Sequence, residues 1–245
     1  MRETILEELK EHFILYKPKD IVAGDFYWYE CIDDDIFIAA ADCTGHGVPG
    51  AMVSVVCSNS LNRAVKELRL KEPAQILDTV RELVIETFEK SQHDVKDGMD
   101  ICFCRINMKS RKIVYSGAQN SLYRITQKTE EIDNPKIVHD ESHVLLEYKA
   151  NKQPIGKFTA EKPFTQTEIQ CNEGDMIYLF TDGYPDQFGG PDKRKFMYKP
   201  YKKLLFSLKN KSMKDQLDIL DQTFEDWKQD ESQIDDVCII GLRMT

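Results

Sequence analysis

Short apolar runs separated by polar turns predict strands in the first part of the chain. The run from Ile36 ends in the carboxylate of Asp42, and a glycine-rich loop with His46 follows at once. A segment that is apolar at every position is typical of a strand buried on both faces. The aromatic cluster at 26–29 favours another strand, so we expect the region from 13 to 42 to be rich in strands.

Apolar residues recur at intervals of three and four from 53 to 68 and again from 73 to 88, which predicts two helices. The first begins near Pro49, and Pro73 suits the first turn of the second. Similar stripes predict helices over 3–14 and 212–228. The remaining apolar segments favour strands, at 100–107, 112–117, 121–126, 143–148, 164–170, 175–181 and 236–243.

The order of these elements predicts the fold class. It lacks the regular alternation of strand and helix that builds a doubly wound parallel sheet. Two mainly antiparallel sheets packed together, with helices outside, fit the order better. We therefore predict an α+β domain over 15–245, preceded by an N-terminal helix or linker remnant over 1–14.

Composition excludes several functional classes. The chain has 245 residues and a net charge of −9, which argues against the basic surface that general nucleic-acid binding needs. No apolar run approaches the roughly 20 residues of a membrane span, and Met1 to Lys10 lacks the apolar centre of a signal peptide. Seven scattered cysteines without a CxxC pair indicate a reduced, cytoplasmic protein with cysteines in its core.

Acidic residues stand at four points where a predicted core strand meets a loop. Asp25 follows a short apolar run, and Asp42 and Asp182 each end one. The pair Asp235-Asp236 begins the last strand. In a core made of two sheets, strand ends of this kind can converge on one edge.

Converging carboxylates repel each other, and a hard divalent cation between them relieves that repulsion. Oxygen ligands favour Mg²⁺, Mn²⁺ or Ca²⁺ over zinc. Two such ions can hold a hydroxide and neutralise a phosphoryl group, which favours metal-assisted hydrolysis of a phosphoester. An aspartate at a strand end is also typical of a turn or cap. His46, between two glycines, is more typical of a tight turn than of a catalyst.

Six segments of the chain form a recognisable series and cover nearly the whole chain from Lys17 onward. They are KPKDIVAGDFYW (17–28), IAAADCTGHGVPGAMVSVV (38–56), YSGAQNSLY (115–123), QPIG (153–156), GDMIYLFTDGYPDQFGG (174–190) and DDVCIIGLR (235–243). In this order, they resemble the SpoIIE-type branch of the bacterial metal-dependent (type-2C, PPM) serine/threonine protein phosphatases. The form DQFGG, with KFM at 195–197, resembles the output domain of large bacterial sensor proteins.

The resemblance implies a four-layer αββα sandwich with two Mn²⁺ or Mg²⁺ ions at one end of the central sheets. Asp42 would bridge both ions, and the backbone carbonyl of Cys43 would complete the first site. Asp182 and Asp235 would hold the second ion, while Asp25 would bind directly or through water. A bridging water would then attack the phosphorus, so that the catalytic set is Asp42, Asp182 and Asp235.

Two features of the family pattern stay open in this chain. Eukaryotic members grip the phosphate with an arginine that has no clear counterpart here, and Lys17 or Lys19 is the candidate replacement. Asp97 and Asp100 lie where a third, weaker metal would bind, although a loop or the start of a strand explains them equally well.

The leading hypothesis is a serine/threonine protein phosphatase that acts in bacterial signalling on a phosphoprotein, such as an anti-sigma-factor antagonist. A homodimer through the N-terminal helix is a further expectation, and contact with nucleic acid or a membrane is not expected. The alternative is a signalling module that binds metal and a partner but has little activity when isolated. A two-metal phosphodiesterase or nuclease is disfavoured by the acidic charge and the lack of histidine ligands.

Overall fold

The computed structural model describes residues 9–89, 97–129 and 138–245. The helices of these ranges are α1 Gly47–Asn62, α2 Pro73–Glu89, α3 Gly183–Asp186, α4 Tyr198–Ser207 and α5 Met213–Lys228, and the π-helical turn Arg63–Glu67 extends α1. The strands are β1 His12–Lys17, β2 Phe26–Ile32, β3 Asp35–Cys43, β4 Met99–Asn107, β5 Lys112–Ala118, β6 Leu122–Gln127, β7 His143–Tyr148, β8 Gln166–Gln170, β9 Met176–Phe180, β10 Phe188–Gly189, β11 Arg194–Lys195 and β12 Val237–Arg243.

Ten of these strands form two five-stranded antiparallel sheets. The first sheet has the order β1-β12-β9-β6-β7, and the second has the order β2-β3-β4-β5-β8. Strands β10 and β11 form a separate two-stranded hairpin. The predicted α+β class with two antiparallel sheets is confirmed.

Strand β3 shows why its run from Ile36 to Ala41 is apolar at every position. Phe37 and Ala39 pack towards α1 and α2, whereas Ile36 and Ile38 pack between the two sheets. On the far side of the first sheet, Ile239 of β12 belongs to a third apolar cluster with α4 and α5. The layers therefore run helix, sheet, sheet, helix, in agreement with the four-layer αββα sandwich.

The N-terminal element differs from its prediction. Residues 12–14, which we expected at the end of a helix over 3–14, form the first half of β1 instead. Their backbone groups pair with β12, with Phe13 opposite Gly241, and this pairing overrides the helical spacing. Residues 1–8 of the predicted helix lie outside the described residues, and the domain division after residue 14 stays a prediction.

The cysteines occupy the core, as their apolar surroundings indicated. Six of the seven, all except Cys31, are buried free thiols. Cys102 and Cys104 share the face of β4 that packs between the sheets. Within residues 9–89, 97–129 and 138–245, no helix is both long enough and apolar enough to cross a membrane.

Candidate functional site

The topology brings the ends of four core strands to one edge of the sandwich. Asp42 and Asp100 are register partners where β3 ends and β4 begins. Asp182 follows β9 and Asp235 precedes β12, and these two strands are antiparallel neighbours. Two like-charged pairs, one from each sheet, therefore face the same end of the molecule.

The Asp42 carboxyl is the centre of this group. It lies within hydrogen-bonding reach of the carboxyls of Asp25 and Asp182. Burial raises the pKa of Asp42, and the charges of Asp25, Asp182 and Asp235 raise it further. Burial and the neighbouring like charges therefore favour the protonated form of Asp42 over the ionised form.

The neighbouring carboxyls respond in the same direction. Burial raises the pKa of Asp25, and of Asp182, whose neighbour Asp186 adds to the effect. Burial and the charge of Asp182 raise the pKa of Asp100 to about 7. The site thus concentrates more negative charge than its protein surroundings neutralise.

Asp25 carries an unmet hydrogen-bonding demand. The residue is 3% exposed, and its Oδ2 atom is buried without a hydrogen-bond partner among the described residues. A buried carboxylate oxygen in that condition is costly unless a proton or a cation reaches it. A hard divalent cation fits this donor set, because every side chain in it offers oxygen.

A second buried aspartate, Asp236, holds the loop that carries Asp25. Its Oδ1 accepts a hydrogen bond from the backbone N–H of Lys19 at 2.7 Å, and its Oδ2 accepts one from that of Gly24 at 2.7 Å. The Asp25 N–H also donates to Oδ2, at 3.3 Å. In the sequence, Asp236 stands out only as half of an Asp-Asp pair, and no local pattern indicates this positioning role.

Close backbone contacts bring the loop before β2 against the loop after β3. A Cβ atom on Gly24 would lie 2.3 Å from the carbonyl oxygen of Gly45 and 3.2 Å from that of Cys43. A Cβ on Gly50 would lie 2.1 Å from the same Gly45 oxygen. Glycine at 24 therefore lets the chain place the Cys43 carbonyl next to the Asp25 loop, while the Cys43 thiol packs in the core.

The basic side chains that the sequence offers as possible phosphate contacts or loop residues, Lys17, Lys19 and His46, lie in different places. Lys17 is engaged by α5, with its Nζ 2.5 Å from Asp221 Oδ1 and 2.7 Å from Glu225 Oε1. His46 Nδ1 lies 2.9 Å from Asp20 Oδ2 in an exposed pair on the loop. The positive charges of Lys19 and His46 act on Asp235, where they oppose the rise in pKa that burial causes.

Of the two aspartates in the DGMD segment, one joins the carboxylate group. Asp100 lines a pocket of about 180 Å³ together with Asp42, Thr44 and the backbone at 154–156. Asp97 is not part of that lining, and its carbonyl instead lies beside Gly156. The structure therefore brings Asp25, Asp42, Asp100, Asp182 and Asp235 together and leaves Asp97 at the margin.

The carboxyls are close, but they do not surround one common point. Within the described ranges, no three acidic, histidine or cysteine side chains are arranged closely enough to form a ready-made metal cage. They are instead linked in pairs through Asp42. A cation at this edge would compete with protons for the carboxyl oxygens.

Comparison with known proteins identifies relatives of the whole domain. A family profile described as "Stage II sporulation protein E (SpoIIE)" matches residues 32–245. Among curated proteins, the "Phosphoserine phosphatase RsbU" of Bacillus subtilis (strain 168) is 25% identical over 169 residues, which are 68% of this chain and 44% of that protein. The chain thus spans less than half the length of the curated relative it matches.

Solved structures share the fold over nearly the full chain. The SiaA-PP2C domain of Pseudomonas aeruginosa superimposes with a TM-score of 0.84 at 26% identity, covering 100% of this chain and 90% of that one. RsbX, solved in complex with magnesium, superimposes with a TM-score of 0.61 at 14% identity, covering 96% of this chain and 94% of that one. The second likeness concerns the fold alone.

Proposed function

The chain belongs to the SpoIIE family of PP2C-type serine phosphatase domains, and on that premise we propose that it hydrolyses phosphoserine and phosphothreonine side chains with divalent cations in bacterial signalling. The observation that carries the proposal is the group of partly buried carboxyls around Asp42, whose negative charge the protein leaves uncompensated. Magnesium in the RsbX structure supports Mg²⁺ or Mn²⁺ as the cation.

We assign the metal-holding role to the residues at the sheet edge. Asp42 would contact both of two ions, with the backbone carbonyl of Cys43 beside it, and Asp182 and Asp235 would hold the second ion. Asp25 would bind directly or through water, which would satisfy its buried Oδ2. Cations bound there would supply the positive charge that neutralises a phosphoryl group and the acidity that activates a water molecule.

The protein's own part is to hold the carboxyls in place and to release their protons. Asp236 fixes the loop of Asp25 by accepting three backbone N–H groups. Asp42, Asp182 and Asp235 stand on the ends of core strands, so their backbone positions are rigid. The raised pKa of Asp42 favours the protonated form until a cation competes for its oxygens.

The partner is proposed by analogy with the relatives. RsbU is described as a phosphoserine phosphatase, and a phosphoprotein, such as a phosphorylated anti-sigma-factor antagonist, is the corresponding substrate here. A homodimer stays a prediction. So does the output-domain role in a larger sensor protein, which the likeness to the SiaA-PP2C domain supports.

A hydrolysis assay tests the proposal. The protein is incubated with p-nitrophenyl phosphate and a phosphoserine peptide, with Mn²⁺ or with EDTA. We expect Mn²⁺-dependent release of phosphate that EDTA abolishes. Equal activity in EDTA would contradict the proposal, and faster hydrolysis of bis(p-nitrophenyl) phosphate than of the monoester would indicate a phosphodiesterase instead.

One observation favours a second candidate function, a signalling module that binds metal and a partner with little turnover. The carboxyls are paired with each other and form no ready-made metal cage in the part of the chain that is described. Carboxyls that are paired in this way need an additional contact, from outside the described residues, to arrange them as metal ligands. Calorimetry that detects metal binding to a chain without measurable hydrolysis would support this candidate.

A further inference from the structure

The hairpin β10–β11 carries a lysine to the border of the carboxylate group. Lys195 Nζ lies 2.8 Å from Asp186 Oδ2. Asp186 ends the short helix α3, and its N–H donates to the carbonyl of Asp182 at 3.0 Å. Residues four apart in a helical turn share one face, so the Lys195 ammonium lies over the same face as the Asp182 side chain.

The hairpin does not depend on this ion pair for its position. The Phe196 N–H donates to the Gln187 carbonyl at 3.0 Å, and the Met197 N–H donates to the Pro185 carbonyl at 2.6 Å. The Phe196 ring packs edge-on against Tyr184 and Trp227, with centroids 5.4 and 5.2 Å apart. Because backbone bonds and aromatic packing hold the hairpin, the exposed ion pair adds little to its stability.

The ammonium has capacity for a second acceptor. Its side chain is 40% exposed and that of Asp186 is 30% exposed, so the pair is open to solvent. A lysine has three N–H donors, and the contact with Asp186 uses one. Lys17 is held between Asp221 and Glu225 on α5 instead.

We propose that Lys195 binds the phosphate group of the substrate. Its ammonium reaches the site from the side of Asp182 and Asp186. This inference rests on the proposed function and assigns the phosphate-gripping residue that the family pattern left open in this chain. A phosphate dianion that approaches this group of carboxyls needs positive charge outside the metal positions. An ammonium on a fixed hairpin supplies it as a point charge with free donors.

The test measures binding of inorganic phosphate by calorimetry to the Mg²⁺-loaded chain. Lys195→Met should raise the Kd for phosphate about tenfold, the loss expected for one charge-assisted hydrogen bond, and Lys195→Arg should keep most of the affinity. Lys214→Met, which removes an exposed lysine from α5, is the matched control and should bind phosphate like the parent chain. The affinity for Mg²⁺ should be the same in all variants.

Several results would overturn the inference. A Lys195→Met chain that keeps its phosphate Kd within twofold would do so, as would a parent chain that binds no phosphate in Mg²⁺. A parallel loss of Mg²⁺ affinity would show that Lys195 acts on the metal ligands. If Lys19→Met loses phosphate binding and Lys195→Met does not, the phosphate-binding residue is Lys19. Phosphate binding that depends on Lys195 in a chain without hydrolysis would leave the inference standing while the proposed function fails.

Discussion

The carboxylate of Asp236 accepts the backbone N–H of Gly24, 212 residues earlier in the chain, at 2.7 Å. Asp236 is 1% exposed, and the same carboxylate also accepts the N–H groups of Lys19 and Asp25. The loop before β2 is therefore attached to the start of β12, and the position of Asp25 depends on a side chain that is not itself a proposed metal ligand.

Asp236→Asn is expected to lower the free energy of unfolding by about 2–3 kcal/mol, because an amide turns one acceptor into a donor that faces a buried N–H group. Affinity for Mn²⁺ should fall as well, since the Asp25 loop is released. Urea denaturation and calorimetry measure the two effects. The exposed Asp230→Asn should change neither, and unchanged stability in Asp236→Asn would refute the attachment.

Gly24→Ala tests the close approach of the two loops. The added Cβ would lie 2.3 Å from the Gly45 carbonyl oxygen, so one loop must move, and a displacement near 1 Å costs about a hundredfold in catalysis. Gly174→Ala is the matched control, because its φ is +86° but no atom lies within 4 Å of the new Cβ. It should cost about 1 kcal/mol of stability and keep phosphatase activity; equal activity in both variants would contradict the role of Gly24.

The stability of the metal-free chain should fall as the pH rises from 6 to 8.5. Burial raises the pKa of Asp100 to about 7, and it also raises the pKa of Asp25 and Asp42. The folded chain therefore binds more protons than the unfolded chain in this range, and each titrating group contributes a slope of up to about 1.4 kcal/mol per pH unit.

Thermal unfolding in EDTA at several pH values measures this slope. Asp100→Asn should flatten it, and Mg²⁺ should stabilise the parent chain more at pH 8.5 than at pH 6, because metal binding releases protons from the carboxyls. Stability that stays level or rises with pH in EDTA would show that the carboxyls are already ionised.

Asp175→Asn separates folding from function. Asp175 Oδ2 accepts two bonds from the guanidinium of Arg124, at 2.8 and 2.5 Å, where β9 begins. That point is at the opposite end of β9 from Asp182. Loss of the buried charge should cost about 3 kcal/mol in urea denaturation, while the affinity for Mg²⁺ in the folded chain stays the same. A matching loss of Mg²⁺ affinity would mean that the two ends of the sheet are coupled.

Much of the fold could be predicted from apolar patterning. Strand β3 is apolar from Ile36 to Ala41 because it packs on helices with one face and on a sheet with the other, and the carboxylate of Asp42 comes directly after that run. Helices α1, α2 and α5 have stripes long enough to be recognised. Strands β10 and β11 have two residues each, which is too short for any periodicity, so the hairpin that carries Lys195 could not be predicted.

Other features depend on contacts between distant parts of the chain. Residues 12–14 continue the helix-like apolar spacing of the segment 3–14, but their pairing with β12 makes them part of a strand. The sequence suggests Lys17 as a phosphate contact, but its ammonium lies between Asp221 and Glu225 of α5, which are distant in the sequence. The role of Asp236 depends on backbone groups more than 200 residues away, and no local pattern in the sequence indicates it.

The most direct test of the central claim is a crystal structure of the chain soaked in Mn²⁺, with anomalous scattering to locate the ions. We expect two Mn²⁺ peaks at the edge of the two sheets, with Asp42 between them and Asp182 and Asp235 on the second. The carboxyl oxygens should have turned towards the ions, and Asp25 Oδ2 should have gained a metal or water contact. Mn²⁺ absent from this edge at millimolar concentration, or bound elsewhere while the carboxyls of Asp25, Asp42 and Asp182 keep their present positions, would contradict the account.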